Sequence, residues 1–135
     1  MSPRYILMLE YDEDDQYITR EYLATTIPVT LVGSSDELWS FLENCLKKNK
    51  ALPSLIMLTF NSSPLTSPEL IRKIKSMKNF AHIPVIVLSG TKTDKIVNEC
   101  YAAGASSFIQ KPALVEDIRK KINAFVNYWF NTVEL

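Results

Sequence analysis

The 135-residue sequence has only three glycines, two cysteines and one histidine, and its fifteen basic side chains are matched by fifteen acidic ones. Each scarcity excludes something. So few glycines leave no GxGxxG or GxxxxGK run, which disfavours a dinucleotide or P-loop site. Cys45 and Cys100 are isolated, with no CxxC spacing and no clustered histidines, so neither a disulfide framework nor a zinc site is supported. Both read as small buried apolar residues. His82 has no cysteine or serine partner at a recognised spacing, and "LSG" at 88–90 lacks the GxSxG elbow, which argues against a hydrolase. A balanced charge gives no global field to gather nucleic acid or an anionic membrane. The opening "MSPRYILMLEYDEDD" meets acids too soon for a signal peptide or a membrane span, so a cytoplasmic protein is expected. The acids from Asp12 to Asp15 lack the glycine and distal glutamate of a calcium loop and read instead as the first turn of a helix.

What the sequence does have is 47% hydrophobic residues in short runs that alternate with helical periodicities. That amount suits one domain over 1–135, burying about two-thirds of its unfolded surface. Strands are predicted at 5–10, 29–33, 54–60, 83–90 and 106–110, and helices at 13–26, 34–49, 66–77, 93–104 and 114–130. The second helix puts Leu38, Phe41, Leu42 and Cys45 on one face behind a serine cap. The third opens with the capping pattern Thr66, Glu69 and has Pro68 in its first turn; Gly104 stops the fourth. Five strand-helix units imply an α/β fold, a doubly wound parallel sheet with helices on both faces. "ILML", "LIML" and "VIVL" are continuously apolar, so the first, third and fourth strands are central and the other two are edges. The strand order is therefore 2-1-3-4-5, with a crevice beyond the carboxyl ends of the first and third strands, where Glu10, Tyr11, Asp12, Thr59 and Asn61 belong.

Four blocks at strand ends, "YILMLEYDEDD", "PSLIMLTFNSSP", "IPVIVLSG" and "SSFIQKP", resemble the signature blocks of the response-regulator receiver domain of two-component signalling, in order and with that family's spacing. The resemblance runs from Tyr5 to about Asn131 and implies a flavodoxin-like (βα)5 fold. It further implies phosphoryl transfer from a histidine kinase to an aspartate that ends the third strand, with a magnesium ion held by acids after the first strand, by that aspartate and by a carbonyl two residues on. By position, the first acid corresponds to Glu10, the carbonyl donor to Asn61, the phosphate-shell hydroxyl to Ser89 and the cation to Lys111. Phe108 lies where receivers carry a switching aromatic.

Two positions depart from the family pattern: Tyr11 replaces the second acid and Thr59 the phosphoacceptor. Asp12 is not a simple substitute for Tyr11, because consecutive residues of an extended chain face opposite ways. One acid and one carbonyl make a poor magnesium site, and a threonine hydroxyl is a weak nucleophile without a base. Magnesium binding is therefore expected to be weak or absent, and Lys111 is expected to pair with Glu10. With its trigger gone, Phe108 is expected to be a fixed core residue.

The last helix carries a stripe of Ile118, Ile122, Phe125, Val126, Trp129 and Phe130, with Val133 beyond. Tyr128, Trp129 and Phe130 are expected to project past the sheet as anchors for a partner, the alternative being a tail that folds back over the core. The reading is a stand-alone, degenerate receiver with no output domain, not an enzyme, acting by contact with a protein such as a histidine kinase, a phosphotransfer protein or a second copy of the chain. Phosphorylation at Thr59 or Asp12 is the alternative, and a small flavodoxin-like enzyme is a third.

Overall fold

The computed structural model describes residues 4–12, 21, 27–60, 66–111 and 115–135. Five strands form one parallel sheet: β1 (Ile6–Glu10), β2 (Val29–Val32), β3 (Leu55–Phe60), β4 (Val85–Ser89) and β5 (Ser107–Gln110), in the order β2-β1-β3-β4-β5. Every residue of β1, β3 and β4 is buried, whereas β2 and β5 are mostly half-exposed. This is the division expected from the apolar runs, since a strand covered on both faces has no polar side to offer. The helices among the described residues are α1 (Ser35–Lys47), α2 (Ser67–Ser76), α3 (Asp94–Ala103) and α4 (Val115–Val126). The helix expected over 13–26 lies, apart from Glu21, outside the described residues.

Strand alternation divides the core in two. Leu7, Leu9, Ile56, Leu58, Val85 and Val87 face α1, α2 and α3, meeting Leu38, Leu42, Ile71, Ile74 and Cys100. Ile6, Met8, Leu55, Met57 and Ile86 face α4, meeting Ile118, Ile122, Phe125 and Val126. Removing each such side chain from water stabilises the fold by roughly 1.5–3 kcal/mol, which is why the central strands fix the topology. Cys45 and Cys100 are buried free thiols within this packing, as expected.

Helix ends follow local chemistry. The Ser34 hydroxyl accepts the Glu37 N–H (3.1 Å) at the start of α1, and Thr93 does the same for Ile96 (3.3 Å) at the start of α3. The capping box expected at Thr66 does not form: Thr66 is already helical (φ −93°, ψ −3°) and its side chain caps nothing, since a side-chain cap needs an extended residue there. Gly104 ends α3 with φ +115°, and a Cβ at this residue would lie 2.9 Å from Lys75 Cγ. Lys75 in turn donates to the carbonyls of Ala81 (3.1 Å) and Ile83 (2.6 Å), which ties α2 to the loop before β4.

The last helix differs from the sequence reading. It is α-helical only to Val126 and then widens into a π-helix, Asn127–Thr132, closed by the Val133 N–H on the Tyr128 carbonyl (2.9 Å). Within this turn Phe130 stays on the inner stripe of Ile122 and Val126, 4% exposed. Arg4 holds it there, donating to the Phe130 carbonyl (3.1 Å) with its guanidinium 5.5 Å from the ring centre. Among the three residues expected to project, only Tyr128 does, at 54% exposed, while Trp129 packs partly against the core. The tail folds back over the core.

Candidate functional site: the crevice at the carboxyl ends of the strands

The ladder places Glu10 beside Thr59, Phe60 beside Ser89, and Ser89 beside Gln110. The crevice is therefore built from the tips of β1, β3, β4 and β5, as the strand order requires. Glu10 and Thr59 share the α4 side of the sheet with Met8 and Met57, by the two-residue alternation. Glu10 is 1% exposed and its Oε1 lies 3.7 Å from Lys111 Nζ, with the lysine side chain 10% exposed. The expected pair between these residues is present. Burial of two charges is tolerable only together, because each alone would face a large desolvation cost. Backbone reinforces the approach: the Lys111 N–H donates to the Ser89 carbonyl at 2.6 Å, which holds the start of the lysine segment against β4.

Thr59 is fully buried, and its hydroxyl donates to the Leu9 carbonyl at 2.9 Å. A hydroxyl in that bond is a strand-to-strand staple. Ser89, also fully buried, turns its hydroxyl to its own loop, donating to the Thr91 carbonyl (2.7 Å) and accepting the Thr91 N–H (3.2 Å).

Tyr11 does not join Glu10. It is 48% exposed, its ring lies 5.8 Å from that of Phe60, and its hydroxyl is 3.1 Å from Ser35 Oγ at the start of α1. Of the acidic pocket expected from Glu10, Tyr11, Asp12 and Asn61, Tyr11 thus stands apart from Glu10. Asp12 is exposed at the lip, with its N–H 3.5 Å from Glu10 Oε2, and Asn61 lies outside the described residues. No group of three or more potential metal ligands occurs among the described residues. Phe108 is half-buried and packs against the α1–α3 side of the core.

Two features escaped the sequence reading. Tyr101, 46% exposed on α3, accepts the Phe108 N–H at 3.0 Å, and Lys121 on α4 donates to the Gln110 carbonyl at 2.7 Å. Both helices therefore reach over the outer edge of β5, an edge that would otherwise offer free backbone groups. The clue was the edge position of β5, flanked in sequence by long polar side chains at helical spacing. His82 sits exposed in the loop before β4, away from the crevice.

The fold is a doubly wound parallel α/β domain with its crevice at the strands' carboxyl ends, and comparison with known families gives the class. The response regulator receiver domain profile matches residues 13–123. The chain belongs to that family. It is 28% identical over 137 residues to the response regulator Rcp1 of Synechocystis, which covers 98% of this chain and 93% of Rcp1. It is 27% identical to the two-component response regulator ARR5 of Arabidopsis thaliana, over 88% of this chain and 70% of ARR5. Against ARR17 of the same plant it spans only 48% of the relative. The crystal structure of the phosphorylated cyanobacterial phytochrome response regulator RcpA superposes with a TM-score of 0.86 at 25% identity, covering 99% of each chain. No helix among the described residues is long and apolar enough to cross a membrane.

Proposed function

We propose that this receiver domain works in two-component signalling by protein contact, without accepting a phosphoryl group on aspartate and with little or no affinity for magnesium. The observation that carries the reading is the Thr59 hydroxyl, fully buried and donating to the Leu9 carbonyl at 2.9 Å. To attack phosphorus it would have to leave that bond and lose its proton to a base. The neighbouring carboxylate in the ladder, Glu10, faces the ammonium of Lys111 at 3.7 Å. An ammonium beside Glu10 offsets charge that a divalent cation would otherwise meet, so the described residues do not favour a magnesium site. RcpA was solved in a phosphorylated form, and the family resemblance puts Thr59 where that chemistry would use an aspartate. The partner is a protein, such as a histidine kinase or another signalling protein, or a second copy of the chain. The exposed Tyr101 and Tyr128 replace the buried Phe130 as the aromatic anchors available to it.

The test is incubation with acetyl phosphate and magnesium followed by intact mass. No adduct is expected on the wild-type protein, and the variant Thr59→Asp is expected to gain measurable magnesium binding by calorimetry, limited by Tyr11. A wild-type phosphate adduct would overturn the reading; mapping it to Asp12, the exposed carboxylate at the lip, or to Thr59 would establish a receiver phosphorylated at an unusual residue.

A further inference from the structure

We infer that the opposite end of the sheet, at the amino ends of the strands, is a docking surface for a short acidic segment of a protein chain. Between residues 47 and 82 the sequence carries Lys47, Lys48, Lys50, Arg72, Lys73, Lys75 and Lys78 but a single acid, Glu69. The fold concentrates the cations. α1 and α2 lie side by side on one face, with the Trp39 and Phe80 rings 6.3 Å apart and Lys73 Nζ 4.4 Å over the Trp39 ring. Both helices run against the strands, so their carboxyl ends and the loops that follow meet where β3 and β4 begin. The Ser54 N–H on the Tyr5 carbonyl (2.9 Å) and the Ile56 N–H on the Pro84 carbonyl (2.9 Å) stitch those loops to the sheet.

The ordinary explanation of lysines at helix ends is that they offset the helix dipole, and it covers Lys47, Lys73 and Lys75 in the last turns. It does not cover Lys48, Lys50 and Lys78, which lie past the helix ends and are exposed. The same two loops, after α1 and after α2, also line a cleft of about 500 Å³, with Leu52, Pro53 and Pro84 in its wall and Arg4, His82 and Glu134 at its polar margin. A cationic rim beside a small apolar recess is complementary to acidic residues that flank an apolar side chain.

Charge distribution selects the class of partner. Asp36, Glu37, Glu69, Asp94, Glu116 and Asp117 all sit in first turns of helices, at the far end of the molecule. Lys92, Lys95 and Lys111 share that end and Glu134 lies on the cleft, so the zero net charge conceals a partial separation of sign. A long polyanion lying across the protein meets as many acids as bases, whereas a short acidic segment engages one end alone. The cations are also mostly lysine, a point charge suited to scattered carboxylates more than to forked recognition of phosphate.

The test is fluorescence anisotropy with a fluorescein-labelled peptide of alternating Glu, Asp and Leu, alongside a single-stranded DNA of equal charge. The peptide is expected to bind at low salt and to weaken by about tenfold or more as salt rises from roughly 50 to roughly 200 mM. The variant K48E/K50E/K78E should lose at least about tenfold in peptide affinity while melting like the wild type, because exposed substitutions rarely disturb stability. Absence of peptide binding at low salt, equal binding by the variant, or DNA binding as tight as that of the peptide would each overturn the inference. None of these outcomes depends on whether Thr59 can be phosphorylated.

Discussion

In the crevice at the carboxyl ends of the strands one ionisable pair is drawn inward: Glu10 is 1% exposed, its cation Lys111 is nearly buried, and the Thr59 hydroxyl is spent on a backbone carbonyl. At the amino ends the reverse holds, because the aromatic ring of Phe130 goes in under Arg4 while lysines beyond α1 and α2 stay in water. One sheet supports both arrangements. Its three central strands are held by apolar burial on both faces, which leaves the residues at either rim free to serve different purposes. A receiver fold therefore does not by itself guarantee receiver chemistry, and function must be argued at the rim.

If the amino end is secured by buried aromatic packing, its loss should be the most costly change of all. Phe130→Ala is expected to destabilise the protein by about 3–5 kcal/mol, the range for truncating a buried phenylalanine. Tyr128→Ala, two residues away and 54% exposed, should stay within about 0.5 kcal/mol. Denaturant unfolding of both variants measures this directly. Equal effects would mean that the π-helical turn does not dock as described.

The ion pair at the carboxyl end comes next. Lys111→Met withdraws the cation from a carboxylate that is 1% exposed, and a loss of about 3 kcal/mol is expected at neutral pH. The double variant E10Q/K111M should recover part of that loss, since neither a charge nor its partner then remains. A single variant as stable as the wild type would show that Glu10 does not rely on Lys111.

Much of this contrast is legible in the sequence. The uninterrupted runs ILML, LIML and VIVL gave the central strands, the strand order gave the location of the crevice, and the lack of a third nearby charge pointed Lys111 at Glu10. What escaped the sequence reading depends on backbone detail that residue spacing does not encode. Thr66 and Glu69 have the spacing of a capping box, yet Thr66 adopts helical angles and its hydroxyl has no route to the cap. A helical wheel at 3.6 residues per turn already puts Phe130 on the stripe of Ile122 and Val126; what spacing does not show is that the chain widens to a π-turn there and docks Phe130 on the core instead of carrying it past the sheet. Tyr11 is expected in one pocket with Glu10, yet its ring turns to Phe60 and its hydroxyl to Ser35, a contact that depends on where α1 starts.

A smaller effect tests the Thr59 staple. Thr59→Val keeps the shape of the side chain but leaves the Leu9 carbonyl without that donor, at an expected cost of about 1–3 kcal/mol. Thr59→Ser retains the donor and should cost less than Thr59→Val in the same unfolding assay. If valine proves as stable as threonine, the hydroxyl is not holding β1 to β3.

The smallest expected effect appears only in alkali and reports on the core between the two ends. Burial, with a lesser contribution from Glu99, pushes the Cys100 thiol from an ordinary 9.0 up to about 11. The unfolded chain thus releases this proton first. Stability from the buried thiol is complete below pH 9 and declines as pH rises towards 11. Tyr5 acts in the same direction, because burial and then its contacts with Cys45 raise its hydroxyl above the ordinary 10.0. Lys75 opposes both: burial lowers its ammonium below the ordinary 10.5, so the unfolded chain keeps that proton longer and stability from this residue grows with pH in that window. Melting temperatures taken from pH 8 to 11 should therefore fall for the wild type, fall less steeply for Cys100→Ala and more steeply for Lys75→Met. The slope is the informative quantity, since each substitution also shifts the whole curve by its own packing loss. A Cys100→Ala curve parallel to the wild type would show that the thiol keeps its ordinary acidity in the folded core.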